Sequence, residues 1–471
     1  MTRSPILDET DRLRAELPEN FRDDIVESLY AEAARISATS LSHGERPARP
    51  TLDKLLDRIL THRVWGFLAM GALLFGVFWF TIAGAAVPSD LLSNLLVEHG
   101  HEQLNRLSRL LSLPDWMSGL LVDGVYLSTA WVVAVMLPPM AIFFPLFTIL
   151  EDFGYLPRVA FNLDRLFAKA GAHGKQALTM MMGYGCNAAG VTATRIIDSP
   201  RERLIAVITN NFSICNGRWP VLILLGTVFL GQLAPPPLAA VVAAASVTTV
   251  AALGVLTALV VSWGLSRTVL RGATSVYSLE LPPYRPPRIW RTLYTSLIDR
   301  TLKVLRRAVT MAAPAGAATW LISNITVADA SLAAHLVDLL APLGWLMGLN
   351  GIILLAYVVA IPANEIVVPT ILMLTMTLGT NLFGAEQGVL LELGTAETAT
   401  VLVQAGGWTL LTAVNLMLFT LLHNPCGTTI LTIWHETRSA TWTAVATLLP
   451  VGLGIVVTSL TAAVARWAGW G

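Results

Sequence analysis

Three cysteines, Cys186, Cys215 and Cys426, are the residues of this 471-residue chain best suited to chemistry. They stand as Gly185-Cys186-Asn187, Ile214-Cys215-Asn216-Gly217-Arg218 and Pro425-Cys426-Gly427, each inside an otherwise apolar stretch. A thiol becomes a metal ligand on losing its proton, and a bound cation assists that loss. Thiolates beside imidazole, amide or carboxylate groups suit Fe(II), Zn(II) or Cu(I) better than Mg2+ or Na+. Asn187, Glu365 and His423 supply such neighbours, so these six residues form the candidate metal-contacting set. Glu151, Asp152, Asn211, Asn364 and Asn424 are candidate gate residues on the same stretches. No Cys-x-x-Cys pair occurs, which excludes a zinc ribbon or a thioredoxin-like motif. A single cysteine is more often a small buried hydrophobe; the setting shared by all three argues for ligands. Met180-Met181-Met182 has soft sulfur too, but consecutive helical residues point in different directions, which favours packing.

The elements that position these residues are membrane spans. Mean hydropathy is +0.63. Charged residues make up 13% of the chain, about half the ~25% usual in soluble domains. Several apolar stretches exceed the ~20 residues that cross ~30 Å of hydrocarbon. Glycine costs about 1 kcal/mol relative to alanine within a helix. Broken backbone in lipid survives only where protein or a water-filled cavity satisfies it. Gly183-Tyr184-Gly185-Cys186-Asn187 is therefore expected to line a path.

In chain order, residues 1–63 read as a polar cytoplasmic segment with no cleavable signal peptide. It has an amphipathic helix from Phe21 to Ile36 capped by Asn20, a break at Pro47 and Pro50, and a second helix from Leu52 to His62 after Thr51. Residues 64–121 read as a first crossing, Val64 to Val87, and an external loop over 88–121. Residues 122–265 form a first repeat: a crossing to Leu150 kinked by Pro138, Pro139 and Pro145, a charged loop 151–175, a hairpin, a broken crossing and a crossing. Basic residues flank the Cys186 stretch on both sides, Lys175 before and Arg195, Arg201 and Arg203 after. The positive-inside rule makes that stretch a re-entrant hairpin with its tip near Cys186. Residues 266–307 hold nine Lys or Arg and read as a basic cytoplasmic linker.

Residues 308–471 repeat the plan with opposite orientation. Residues 326–350 and 379–407 lack Lys and Arg, the second stretch carrying Glu386, Glu392 and Glu397, so Pro362-Ala363-Asn364-Glu365 reads as a hairpin entering from the other side. His423-Asn424-Pro425-Cys426-Gly427 breaks the next crossing. The expected fold is an all-α polytopic membrane protein of two inverted repeats with re-entrant hairpins and broken helices, about seven or eight transmembrane helices in all. Arg218 within a broken span is expected to neutralise an acid or cap carbonyls.

At these motifs the sequence resembles the membrane domain of the FeoB-type ferrous iron transporters, over roughly residues 51–460. The motifs are Leu150-Glu151-Asp152-Phe153-Gly154-Tyr155 with Arg158, Gly183 to Asn187, and Cys215-x-x-Arg218-x-Pro220. Leu279 to Arg285, Pro425-Cys426 and Glu436-Thr437 continue the set, in the same order along the chain. The resemblance implies inward Fe2+ transport, with Fe2+ as substrate, no tightly bound cofactor, and location in the cell (inner) membrane with a cytoplasmic N-terminus. This chain departs from the pattern at Ala363-Asn364-Glu365, where the family carries a lysine, and at His423, where an aromatic is more usual. The family's GTPase domain is expected to be missing. Gly171-Ala172-His173-Gly174-Lys175-Gln176 lacks both the spacing and the Ser or Thr of a phosphate loop. The chain is thus expected not to be an enzyme, and any GTP hydrolysis would come from a GTPase or small cytoplasmic subunit acting in trans. A homo-oligomer fits the class, and nothing points to nucleic acid. Two other functions remain open: transport of Mn2+, Zn2+ or a small solute such as a nucleoside, and a non-transporting scaffold for a separate GTPase.

Overall fold

The computed structural model describes residues 21–40, 52–62, 64–272, 284, 288–327, 330–378 and 406–469. The expectations for Asn20, Pro47, Pro50, Thr51, Leu279 to Pro283, Arg285 and the acidic stretch with Glu386, Glu392 and Glu397 lie outside these residues. The described chain is helical, apart from a small antiparallel pairing of Thr326–Val327 with Ala330–Ser331.

Helix α1, Phe21–Ser40, leaves Phe21, Ile25, Leu29 and Ile36 exposed. Helix α2, Leu52–Leu60, leads to α3, Trp65–Leu92. The expected external loop is instead helical. Chain passes from α3 through Ser93–Gly100 into α4, His101–Leu110. Pro88 lies inside α3 without ending it, because neighbouring groups in a membrane protein can take up the bond a proline frees. Helix α5, Leu127–Asp152, belongs to a continuous 38-residue run from Asp115. At 1.5 Å per residue that run is roughly 57 Å long, well beyond a ~30 Å hydrocarbon core. It carries Pro138, Pro139 and Pro145 in its interior without a break.

The expected charged loop after α5 is also largely helical: α6 spans Tyr155–Lys169. Gly154 caps it at φ +86°, a conformation that L side chains rarely adopt. Then come α7, Lys175–Gly185; α8, Asn187–Ala193; α9, Pro200–Thr209; α10, Trp219–Leu225; and α11, Pro236–Arg267. The second half holds α12, Ile289–Thr295; α13, Lys303–Asn324; α14, Leu332–Leu346; α15, Gly351–Val359; and α16, Val367–Leu378. It ends with α17, Leu410–Leu422; α18, Gly427–Thr437; and α19, Ala440–Trp467. Residues 326–350, the stretch without Lys or Arg, thus contain α14. Its apolar Leu and Ala content suits a helix, and it meets α15 at 111°.

Among the described residues, four helices are long and apolar enough to cross a membrane: 115–152, 241–267, 410–437 and 440–467. The bent α14–α15 pair makes a fifth, and shorter apolar helices cover 65–81, 219–233 and 364–375. The core runs from Phe143, Phe144 and Phe147 of α5 through Ile205, Phe212 and Leu222 to Ile353, Leu355 and Leu421. Apolar burial alone gives little drive between helices in lipid, so close packing matters. Gly316 of α13 lies directly on the Gly124 carbonyl at the approach to α5, leaving no room for a side chain.

Candidate functional site

Four breaks in helices build the site. At the first, Cys186 lies between α7 and α8 in extended conformation, φ −157° and ψ 120°. A straight helix would hold Thr179 and Gly190 roughly 16 Å apart. Instead a side chain at Gly190 would begin 2.8 Å from the Thr179 carbonyl, so α7 and α8 fold back on each other. Cys186 is the tip of that hairpin. Asn187, beside it, is buried, and its amide nitrogen, turned to donate, reaches the carbonyls of Gly183 and Ser213 at 3.1 Å each. Asn210 donates in turn to the Asn187 carbonyl at 2.9 Å.

The matching break in the second half is at Pro362-Ala363, between α15 and a turn leading to α16. Ala363 has φ −150° and ψ 113°, almost the Cys186 conformation, and each is followed by a buried asparagine, Asn187 or Asn364. The third break runs from Ser213 to Cys215, between α9 and α10. The fourth, His423 to Cys426, separates α17 from α18, each of its two end residues being extended.

The four meet. The Gly427 N–H donates to the Ile361 carbonyl at 2.8 Å, joining the fourth break to the second. Gly217, beside Cys215, faces the Glu365 carboxylate so closely that a Cβ there would lie 2.6 Å from Oε1. Asn211 Nδ2 donates to the His423 carbonyl at 2.8 Å. Arg218, 1% exposed, binds the third and fourth breaks together. Its Nη1 donates to the carbonyls of Asn211 and Leu421, and its Nη2 to Asn211 Oδ1 and the carbonyls of His423 and Asn424, at 2.8–3.2 Å. Of the two roles open to Arg218, it therefore caps carbonyls; none of these five acceptors is a carboxylate.

A cavity of about 60 Å3 lies at the meeting point, lined by Cys186, Cys215, Cys426, Asn187 and Glu365 among others. By the same measure a water molecule needs about 10–15 Å3. Five of the six candidate metal-contacting residues thus border one space. His423 does not. Its ring lies edge-on to Tyr357, centroids 4.7 Å apart, and its Nδ1 pairs with the Thr420 carbonyl at 2.8 Å. Met140, Met311, Gly217, Thr428 and Thr429 also line the cavity, and none was legible as a site residue. The two methionines lie on unbroken helices, α5 and α13, where a methionine reads as packing. The thiols, the carboxylate and the amide can replace part of an ion's hydration shell. Among the described residues, however, no three His, Cys, Asp or Glu side chains stand close enough together to hold a metal ion.

The remaining gate candidates sit apart from the cavity. Asn424 Nδ2 reaches the Pro425 carbonyl at 3.1 Å, and Asn364 Nδ2 is buried with no partner within the protein. Glu151 is half-buried; Asp152 is exposed and accepts from Thr292 Oγ1 at 2.6 Å. Beside them a second cluster ties the N-terminal region to the membrane part. Arg158 Nε donates to Asp57 Oδ1 at 3.0 Å, and its guanidinium lies 4.1 Å from the Tyr284 ring centre. Tyr284 donates to the same carboxylate oxygen at 2.8 Å, and burial together with that bond pushes its hydroxyl up to about 12.

Helices broken at matching points in two halves, around a polar cavity, define a multi-pass membrane protein of the gated, broken-helix class. Comparison with known proteins gives its relatives. A family model described as "Nucleoside recognition", Gate, matches residues 133–229 and 305–440, and one described as "Ferrous iron transport protein B C terminus" matches 247–299. A protein named Fe(2+) transporter FeoB from Staphylococcus aureus (strain MSSA476) is 27% identical over 416 residues, covering 86% of this chain and 58% of the relative. The protein of that name from Synechocystis sp. is 27% identical over 428 residues, covering 90% and 65%, and that from Helicobacter pylori (strain ATCC 700392 / 26695) 29% over 308, covering 65% and 46%. The chain is similar to the FeoB-type proteins over their membrane part. It spans between 46% and 65% of the length of these relatives. No solved structure matches it.

Proposed function

We propose that this chain carries Fe2+ into the cell, across the inner membrane, through the cavity between its four breaks. One observation carries this reading: cysteines from three separate breaks border a single cavity. Cys186, Cys215 and Cys426 contact the ion there, with Glu365 and Asn187 supplying oxygen. A substrate site has to release its ion, so an incomplete ligand set suits transport better than a closed cage would. Each thiol that engages the ion gives its proton to solvent. Asn211 and Asn424 hold the backbone at the breaks, Asn364 stands beside Glu365 as a further gate residue, and Glu151 and Asp152 meet the ion on the cytoplasmic side. GTP hydrolysis is assigned to a GTPase or a small subunit outside these residues.

The Gate match favours a second substrate class, since its description is nucleoside recognition. A cavity of about 60 Å3 is far below the ~300–1,000 Å3 that holds drug-sized organic ligands, which favours an ion. The test is accumulation of radioactive iron under reducing conditions, in cells expressing the chain and in proteoliposomes. The double variant C186S/C426S is expected to lower uptake at least tenfold. Unchanged uptake in that variant removes the thiol route, whereas nucleoside uptake without iron uptake favours the other substrate class. A wild type that moves no divalent ion and no nucleoside leaves the scaffold reading.

A further inference from the structure

The cavity wall is richer in sulfur than its cysteines alone suggest. Met140 of α5 and Met311 of α13 border it beside Cys186, Cys215 and Cys426, so five sulfur-bearing residues line one space together with a single carboxylate residue, Glu365. Met140 is 1% exposed, a buried position rather than a surface accident. The five residues come from five separate places: α5, α13, one hairpin tip and two broken crossings.

A divalent ion such as Fe2+ is held only loosely by this wall, as passage requires. No three His, Cys, Asp or Glu side chains approach closely enough to hold a metal among the described residues. A soft d10 monovalent ion has a smaller requirement. About two or three thiolate or thioether donors complete its coordination, and these are the donors that select Cu(I). The thioethers also need no deprotonation and keep their affinity where thiols remain protonated. We propose that this sulfur-lined cavity binds one soft monovalent cation of the Cu(I) class, through its thiols and the Met140 and Met311 thioethers together, and that the bound ion blocks Fe2+ passage. Binding involves no redox step: the metal keeps its charge, and each thiol that ligates it releases its proton to solvent. The blocking half rests on the Fe2+ reading above; the binding half stands without it.

Ag+ is the probe, being redox-inert with the same donor preference. The purified full chain in detergent, in halide-free buffer, is titrated with Ag+ by calorimetry. One Ag+ per chain is expected. Affinity should fall at least 100-fold in C186S/C426S and about tenfold in M140L/M311L, a swap that nearly conserves volume. Either double variant binding Ag+ as the wild type does overturns the proposal. A second measurement needs no variant: in the wild type, Ag+ is expected to protect all three cysteines from maleimide labelling. Labelling that continues at saturating Ag+ overturns it equally. In the uptake assay, Ag+ at its binding concentration should abolish Fe2+ entry, and uninhibited entry removes the blocking role. A chain that moves no Fe2+ at all defeats the transport reading, while the titration and the labelling still decide the site.

Discussion

Arg218 Nη2 donates to the carbonyl oxygen of His423 at 3.2 Å, across 205 residues of chain. A broken helix leaves carbonyls without partners, and in lipid each such group costs several kcal/mol. One buried guanidinium with a fixed fork of donors serves the broken ends of both halves at once. Arg218→Met keeps much of the side-chain length but removes every donor, leaving the carbonyls of Leu421, His423 and Asn424 short of partners. The expected loss is about 3–5 kcal/mol, the range for breaking a buried charged network. Arg218→Lys should fall between, since an ammonium keeps the charge but not the fork. Thermal unfolding in detergent checks the order, and maleimide labelling of Cys426 should accelerate with it. A methionine variant that melts with the wild type contradicts the role.

The hairpin at Cys186 closes on Gly190. A methyl there would meet the Thr179 carbonyl at 2.8 Å and press on Asn210 Oδ1 as well. Backbone cannot yield as a flexible side chain can, so Gly190→Ala should destabilise the protein by about 1–3 kcal/mol, as overpacking does. Gly71, with nothing within 4 Å of such a methyl, is the control: Gly71→Ala should leave the melting temperature unchanged or raise it slightly. Equal melting of the two variants would mean that α7 and α8 do not fold back as described.

The breaks were legible because amides, glycines and prolines inside apolar runs conflict with a lipid-facing helix, and Cys186, Cys215 and Cys426 all sit at such conflicts. Their meeting at one cavity was expected only from that shared setting, since no spacing in the sequence joins residues 186 and 426. Two kinds of residue escaped. Residues 88–121 and 151–175 were read as loops from their charge, yet charge marks exposure to water and not loss of helix, as α4 and α6 show. Met140 and Met311 escaped because a methionine on an apolar helix carries no polar signal. His423 lies outside the cavity lining. Its place beside Asn424 and Cys426 suggested a ligand, but an extended residue turns its side chain away from its neighbours', here onto Tyr357.

His173 makes α7 sensitive to pH. Its Nδ1 accepts the Lys175 N–H at 3.0 Å, which requires the neutral ring. Burial lowers its pKa, and Lys175 adds to that, while Glu202, Asp164 and Asp198 oppose it. A folded pKa below the unfolded value means that the unfolded chain binds the proton more readily. The stability His173 contributes is therefore complete above the unfolded value of about 6.5 and is lost as pH falls through the folded value. His173→Gln keeps an acceptor and does not titrate. Between about pH 7.5 and pH 5 the wild type should lose more thermal stability than this variant. Identical pH profiles would show that another group sets the dependence.

The two halves are also clasped at their charged edge. Glu436 at the end of α18 accepts from Arg195 Nη2 at 2.6 Å and from Arg203 Nη2 at 2.7 Å, and its own side chain is 5% exposed. The two arginines differ in setting: Arg195 is 65% exposed, Arg203 34%. Water and salt screen the first pair more, even though Arg195 also donates through Nε to both carboxylate oxygens at 3.0 Å. Double-mutant cycles separate them. Glu436→Gln with Arg195→Ala should give a coupling within the ~0.2–1 kcal/mol of exposed pairs. The cycle with Arg203→Ala should give the larger value. Raising salt from about 0.05 to 0.5 M should erase most of the Arg195 coupling and less of the Arg203 coupling, because the screening length then drops to about 4 Å. If both couplings vanish together, the clasp is a surface contact throughout. If that of Arg195 is the larger and survives salt, fork geometry outweighs exposure at this edge.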